Sequence, residues 1–291
     1  MKPGDRTPCA LITGASGGIG RAAARELLAR GWRVFGGVRR DQDARSLRAE
    51  LGEGFTPLPL EVTDPRSVGD AAEAVEAALR GENMGALVNS AGIARLGPLA
   101  CLSTAALREQ FEVNLFGLFE VTRRFLPLLG AKPGAPRPAG RIVNLSSASG
   151  RLAMPFFGFY AASKHALEGL SDSLRRELQL YGIRVILIEP SIVRTPMVDK
   201  AVAQAEAFRE TEWWPALQAA VKAAGLERGE ALPVQRVVRV LVRALLSPHP
   251  RARYAVPRRR LLGWWLPLAL PDRMLDRVVG RALGLAAGKG A

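Results

Sequence analysis

Tyr160 and Lys164 stand four positions apart in "FYAASKHALEGL", residues 159–170. On a helix that spacing puts both side chains on one face. A free tyrosine has a pKa of about 10 and is a poor acid or base near neutrality. An ammonium one turn away stabilises the phenolate and draws that pKa down. A tyrosine tuned in this way can give a proton to a carbonyl oxygen or take one from an alcohol. The same pair could equally sit on an ordinary amphipathic helix, and the spacing alone does not decide between the two.

A second stretch bears on the choice. "TGASGGIG", residues 13–20, follows an apolar run and opens a helical one. Gly14, Gly18 and Gly20 let backbone approach a phosphate at a helix N-terminus, where free N–H groups and the dipole favour anions. A glycine turn that merely packs helix on strand would look similar, but the strand–turn–helix setting favours a nucleotide.

The elements that must position these residues alternate. "ALITG" (10–14), "WRVFGGV" (32–38), "FTPLPLEV" (55–62), "GALVNSAG" (85–92), "RIVNLSS" (141–147) and "IRVILIEP" (183–190) read as strands. Helices are predicted near 19–30, 41–51, 65–80, 103–129 and 160–181, then around 196–228 and 233–247, followed by a short "RYAVP" strand. Continuous apolar strands between helices imply a parallel sheet covered on both faces. The expected class is α/β: a single Rossmann-type, doubly wound sheet with a helical C-terminal extension. Residues 1–257 form the expected catalytic domain and 258–291 the extension. "GAKPGAPRPAG", 130–140, is a loop within it.

The totals exclude several classes. Two cysteines and two histidines make a disulfide framework, a zinc cluster or a Ser-His-Asp triad a poor reading. The start carries no apolar signal segment, which points to a cytoplasmic protein. "LLGWWLPLALP", 261–271, is about half of the roughly 20 residues a spanning helix needs. The net charge of +14 is concentrated at the end: residues 236–291 hold 12 Lys/Arg against 2 Asp/Glu. A basic tail behind a near-neutral body argues against a nucleic-acid partner.

Taken in order, the motifs resemble the short-chain dehydrogenase/reductase family over roughly residues 8–200. The glycine spacing is G-x-x-x-G-x-G, "NSAG" (89–92) matches the family's N-A-G element, and Asn114, Ser147 and Tyr160-x-x-x-Lys164 follow at its intervals. The stretch is similar to the hydroxysteroid and retinol dehydrogenase branch. The resemblance implies hydride exchange with a nicotinamide cofactor, and a homodimer or homotetramer.

It also assigns residues. Tyr160 is the implied acid/base, Lys164 its electrostatic partner and a ligand of the nicotinamide ribose, Ser147 the residue that orients the substrate oxygen, and Asn114 the holder of a water that relays protons to Lys164. Ser146 and Ser149 compete with Ser147. The implied cofactor residues are Gly14, Ser16, Gly18, Ile19, Gly20, Arg39, Val62, Asn89, Ala91, Gly92, Tyr160, Lys164, Pro190, Ile192 and Thr195. Glu61 replaces the family's usual aspartate and Ser191 its usual glycine. His165 turns about 100° from Lys164 on a helix and reads as structural. Glu168 is expected to form an exposed pair with Lys164, of little weight.

Enzymes preferring NAD place an acid after the second strand. Here Val38 is followed by Arg39 and Arg40, and a guanidinium suits a 2′-phosphate. NADP(H) is therefore the expected cofactor and NAD(H) the alternative, kept open by Asp41 and Asp43.

On the substrate side, Met154, Phe156, Phe157 and Phe159 precede the tyrosine, and Trp213 and Trp214 fall in the family's lid region, about 191–230. An apolar pocket would suit a hydrophobic ketone, aldehyde or alcohol, although core or subunit packing would use the same aromatics. The C-terminal arginines and tryptophans could touch a membrane peripherally or cover a neighbouring subunit or the pocket.

Overall fold

The computed structural model describes residues 7–136, 138–225, 231–259 and 264–285. Among them, seven strands form one parallel sheet: β1 (Cys9–Ile12), β2 (Arg33–Val38), β3 (Phe55–Pro59), β4 (Ala86–Asn89), β5 (Arg141–Leu145), β6 (Arg184–Pro190) and β7 (Arg253–Val256). Their spatial order is β3-β2-β1-β4-β5-β6-β7. The order reverses beside β1, and the open sheet gains a crevice at the strands' C-terminal ends there.

Alternation along each strand sorts the core into two layers. Ala10, Ile12, Ala86, Val88, Val143 and Ile188 face one way, against α1 (Gly18–Leu28), α2 (Asp41–Leu51) and, further along the chain, α9 (Val234–Leu246). Leu11, Phe35, Leu87, Ile142 and Val185 face the other, against α3 (Pro65–Leu79), α5 (Leu118–Phe125) and α6 (Gly158–Glu177). Helix starts follow local chemistry. Asp64 accepts from the Arg66 N–H with Pro65 in the first turn of α3, and Ser103 accepts from Ala106 N–H at the start of α4 (Thr104–Phe111).

The single helix predicted over 103–129 is broken. Between α4 and α5 the chain widens into a π-helical turn, Glu112–Gly117, which contains Asn114. A Cβ on Gly117 would lie 2.7 Å from the Val62 carbonyl oxygen, so this turn sits hard against the end of the third βα unit. The helix predicted around 196–228 is likewise two, α7 (Pro196–Ala205) and α8 (Trp214–Ala223), and residues 226–228 lie outside the described ones.

A third apolar cluster stands apart from the sheet. Leu96, Phe156, Ala201, Ala205, Ala216, Leu217 and Ala220 pack there with Phe157, Phe208, Trp213 and Trp214. The short α10 (Leu266–Ala269) leads into α11 (Asp272–Leu283), whose Val279 and Leu283 complete the cluster. α11 thus packs on α8. No helix of the described residues is long and apolar enough to cross a membrane.

Candidate active site

The glycine turn comes first in building the site. Gly14 takes φ +63°, and a Cβ there would meet the Ala91 Cα at 2.9 Å. Only glycine suits both the conformation and the approach. A Cβ on Gly18 would lie 2.7 Å from the Thr195 methyl, so the turn also touches the loop after β6. Thr13 ties the turn to the "NSAG" segment: its hydroxyl accepts from Ser90 and Ala91 N–H, both at 3.0 Å. No side chain caps α1, and Ser16 and Gly17 are exposed ahead of it. An uncapped helix N-terminus behind an exposed glycine turn fits the phosphates of a dinucleotide. Ile19 packs its side chain on the core beside Gly20. A ligand would therefore meet its backbone.

Around this turn lie the other expected cofactor residues. Arg39 and Arg40 are exposed at the end of β2. Arg40 is committed to Asp43 through two 3.0 Å bonds, and Asp43 is held below the usual carboxylate range first by that guanidinium and further by Ser16. Arg39 lies 3.7 Å from the Glu61 carboxylate and also acts on Asp43. Glu61 folds back on its own turn, accepting from the Thr63 N–H and hydroxyl. Val62 is buried in the core, with its carbonyl against Gly117 of the π-helical turn. The Asn89 amide donates to Thr122 and Asn144, so its side chain braces β4 against α5 and β5. Pro190 ends β6, Ile192 accepts through its carbonyl from Leu232 N–H, and buried Thr195 opens α7.

The residues expected to handle the proton are Asn114, Ser147, Tyr160 and Lys164. Asn114 is fully buried; its Oδ1 accepts from Ile93 N–H at 2.9 Å and its Nδ2 donates to Ser163 at 3.1 Å. Gly92 lies against it, with a Cβ position 3.3 Å from Oδ1. Ser147 caps the short turn Ala148–Gly150 through a bond from Ser149 N–H. Ser149, a competitor by sequence, enters that contact through its backbone, and Ser146 Oγ is buried away from any hydrogen-bond partner. Burial pushes the Tyr160 phenol up, while the Ser147 hydroxyl pulls it down.

Lys164 is buried, donates from Nζ to the Leu145 carbonyl at 2.8 Å and stands 5.7 Å from the Tyr160 ring centre. Burial lowers its pKa to about 8, with Glu168 opposing. His165 bonds its own helix through Nδ1 to the Ala161 carbonyl. Glu168 departs from expectation. It is buried, and its partner is Arg253 on β7 at 3.0 Å, brought beside α6 by the sheet.

Two features outside the sequence reading lie beside these residues, the burial of Gln110 and the backbone of Phe156. Gln110 is fully buried one turn before Asn114, accepting from Arg95 N–H and donating to the Ile93 carbonyl. Phe156 adopts φ 70°, a strained conformation for an aromatic residue, four positions before Tyr160. The i, i+4 spacing of two amides could have flagged Gln110; no local signal marks the left-handed backbone of Phe156.

Residues 8–206 match the short chain dehydrogenase family. The chain belongs to that family. Short-chain dehydrogenases are oxidoreductases built on this nicotinamide-binding sheet, and the similar proteins include members of the hydroxysteroid and retinol branch. The chain is 35% identical to an NADPH-dependent 3-dehydrocapnine reductase of Ornithobacterium rhinotracheale, over 91% of this chain and 94% of that one. It is 34% identical to human retinol dehydrogenase 5, over 91% of this chain and 86% of the other. An actinorhodin polyketide ketoreductase structure with NADPH superposes with a TM-score of 0.71 at 29% identity, over 86% of this chain and 95% of that one. Among the described residues no cluster of three or more His, Cys, Asp or Glu could hold a metal.

Proposed function

We propose that this short-chain dehydrogenase is an NADP(H)-dependent enzyme that interconverts a hydrophobic ketone or aldehyde and its alcohol, with Tyr160 as general acid/base. The observation that carries the reading is the placement of the Ser147 hydroxyl against Tyr160, with buried Lys164 behind the ring.

The roles follow from that placement. Ser147 orients the substrate oxygen by hydrogen bonding. Tyr160 gives that oxygen a proton in reduction and removes it in oxidation. The Lys164 ammonium, 5.7 Å from the ring centre, is placed to favour the phenolate as it forms and to bind the ribose hydroxyls. Asn114, fixed by Ile93 and Ser163, holds the water behind Lys164. Gly14, Ser16, Gly18, Ile19, Gly20, Ala91, Gly92, Pro190, Ile192 and Thr195 line the dinucleotide. The nicotinamide, when bound, supplies the hydride.

Arg39 supports the choice of NADP(H): it is exposed and only loosely paired, with Glu61 at 3.7 Å, while Asp43 is bonded to Arg40. Relatives named as NADPH-dependent and as retinol dehydrogenase support both the cofactor and a lipid-like substrate. The aromatic cluster of Phe156, Phe157, Trp213 and Trp214 supplies an apolar lid.

The test is NADPH absorbance with a panel of hydrophobic ketones and alcohols. Wild-type protein should turn over at least one of them, and Tyr160→Phe should lose activity by orders of magnitude while still binding NADPH. Undiminished activity in Tyr160→Phe would refute the acid/base role.

We also infer a peripheral membrane contact through the 258–291 extension. Trp265, Leu266, Met274 and Val278 are exposed together with Arg273 and Arg277, a composition suited to an anionic bilayer surface. Full-length protein should sediment with phosphatidylserine vesicles, and Trp265→Ser with Val278→Ser should leave it in the supernatant.

A further inference from the structure

Three carboxylates surround one guanidinium behind the Ser147 turn. Arg253 on β7 reaches Glu168 through Nε at 3.0 Å, Asp172 through Nη2 at 2.7 Å, and Glu189 on β6 through Nε at 3.4 Å. The register makes this possible. Glu189 pairs with Ala255, so Arg253 lies two residues back along β7, with its side chain on the same face. Asp172 is half-exposed and has a second cation, Arg175. Glu168 and Glu189 are buried to 6% and 2% exposure and depend on the same N–H of Arg253.

That N–H cannot serve both acids. Glu168 Oε1 and Glu189 Oε1 are each buried without a hydrogen-bond partner. Two ionised carboxylates in one desolvated pocket repel, and each orphaned oxygen adds a further cost. One proton between them removes the repulsion and supplies the missing donor. The charged groups facing the pair are Arg253 from β7, Asp172 and Lys164 from α6, and the exposed Arg151 after the Ser147 turn, which also acts on Glu189.

The pair lies close to the groups that handle the proton. Glu168 follows Lys164 by one turn of α6, and its charge favours the Lys164 ammonium. A Cβ on Gly150, at the end of the turn that begins at Ser147, would lie 3.1 Å from Glu168 Cγ, 3.1 Å from the Lys164 carbonyl oxygen and 2.7 Å from Ser146 Oγ. The turn that carries Ser147 is therefore the roof of the acid pair.

We infer that Glu168 and Glu189 share a single proton beneath the Ser147 turn, and that its release adds a negative charge that keeps Lys164 in its ammonium form. Both are positioning residues. They touch no reacting atom and act through Lys164, and the inference rests on the role proposed above for that lysine. The sign is coherent. Burial, and then Glu168, raise Glu189 to about 7, while burial brings Lys164 to about 8. The pair therefore gains its second charge just below the pH at which Lys164 would lose its own.

Two measurements on the full-length protein test this, and neither needs turnover. Infrared difference spectra between pH 6 and pH 8.5 should show one buried carboxylic-acid C=O band disappearing in wild type. The band should be absent from both Glu168→Gln and Glu189→Gln, since each leaves a single buried carboxylate on Arg253, beside the partly exposed Asp172. No band in wild type, or a band surviving in both variants, overturns the shared proton. NADPH affinity, followed by fluorescence, should fall on the alkaline side, and Glu168→Gln should move that midpoint down by about half a pH unit or more. Glu168→Asp should restore most of it. An unmoved midpoint in folded Glu168→Gln overturns the coupling to Lys164. Protein that binds no NADPH at any pH would instead sink the cofactor reading, and the infrared result would still decide the proton.

Discussion

The Asn114 amide donates to the Ser163 hydroxyl across 3.1 Å, joining the π-helical turn to α6 at the residue before Lys164. The same amide exchanges two bonds with the partly buried Ile93 backbone, so one side chain serves three groups. Asn114→Leu fills a similar volume and leaves the Ile93 N–H without its acceptor, while the Ile93 carbonyl keeps Gln110 and the Ser163 hydroxyl keeps the Tyr160 carbonyl. It should lower stability by about 1–3 kcal/mol and turnover by at least about tenfold. Chemical denaturation and steady-state rates check the two effects, and an unchanged rate in the folded variant would rule out an Asn114 role in proton relay.

Gly14→Ala should weaken cofactor binding more than its size suggests. A Cβ would be forced into the left-handed region and to within 2.9 Å of the Ala91 main chain. Strain of this kind costs on the order of 1–3 kcal/mol, and the turn can relax only by moving away from Ala91. NADPH titration should show at least about tenfold weaker binding. Gly31→Ala, also at positive φ but with open space around it, should leave binding unchanged.

Arg39→Ala should separate the two cofactors. A guanidinium bond to a phosphate contributes about 1.5–3 kcal/mol, so KM for NADPH should rise roughly tenfold or more. KM for NADH, which lacks the 2′-phosphate, should change by less than about twofold. Arg40→Ala should do less to either, because Arg40 is already bonded to Asp43. Equal losses for NADH and NADPH in Arg39→Ala would argue against discrimination at this position.

Much of the fold could be read from the sequence because its signals are local. Each strand is a short apolar run, each βα junction carries a turn, and the two core layers follow from period-two alternation. Tyr160, Lys164, Ser147 and the glycines were legible for the same reason, and the structure brings them to one crevice. What escaped depends on contacts between distant segments. Glu168 reads as a surface residue until β7 delivers Arg253 from 85 positions away. The π-helical turn has no periodic signature, since one widened turn barely shifts the pattern of apolar residues. The packing of α11 on α8 needs knowledge of where the chain's last helix returns, which no local motif provides.

Stability should depend on pH through Glu189, in a direction fixed by its surroundings. Burial, with Glu168 beside it, raises its carboxyl from an ordinary value of 4.5 to about 7. Between those two values the folded chain holds a proton that the unfolded chain has released. Stability from this group is therefore complete below about pH 4.5 and is lost as pH rises through 7. Glu189→Gln keeps the shape and cannot ionise, so it does not incur that loss. Relative to wild type, the variant should be more stable at pH 8 than at pH 5 by on the order of 1–3 kcal/mol. Urea midpoints at the two pH values measure the difference. A variant whose stability runs parallel to wild type across this range would show that Glu189 is ionised throughout, with Arg253 alone balancing both buried acids.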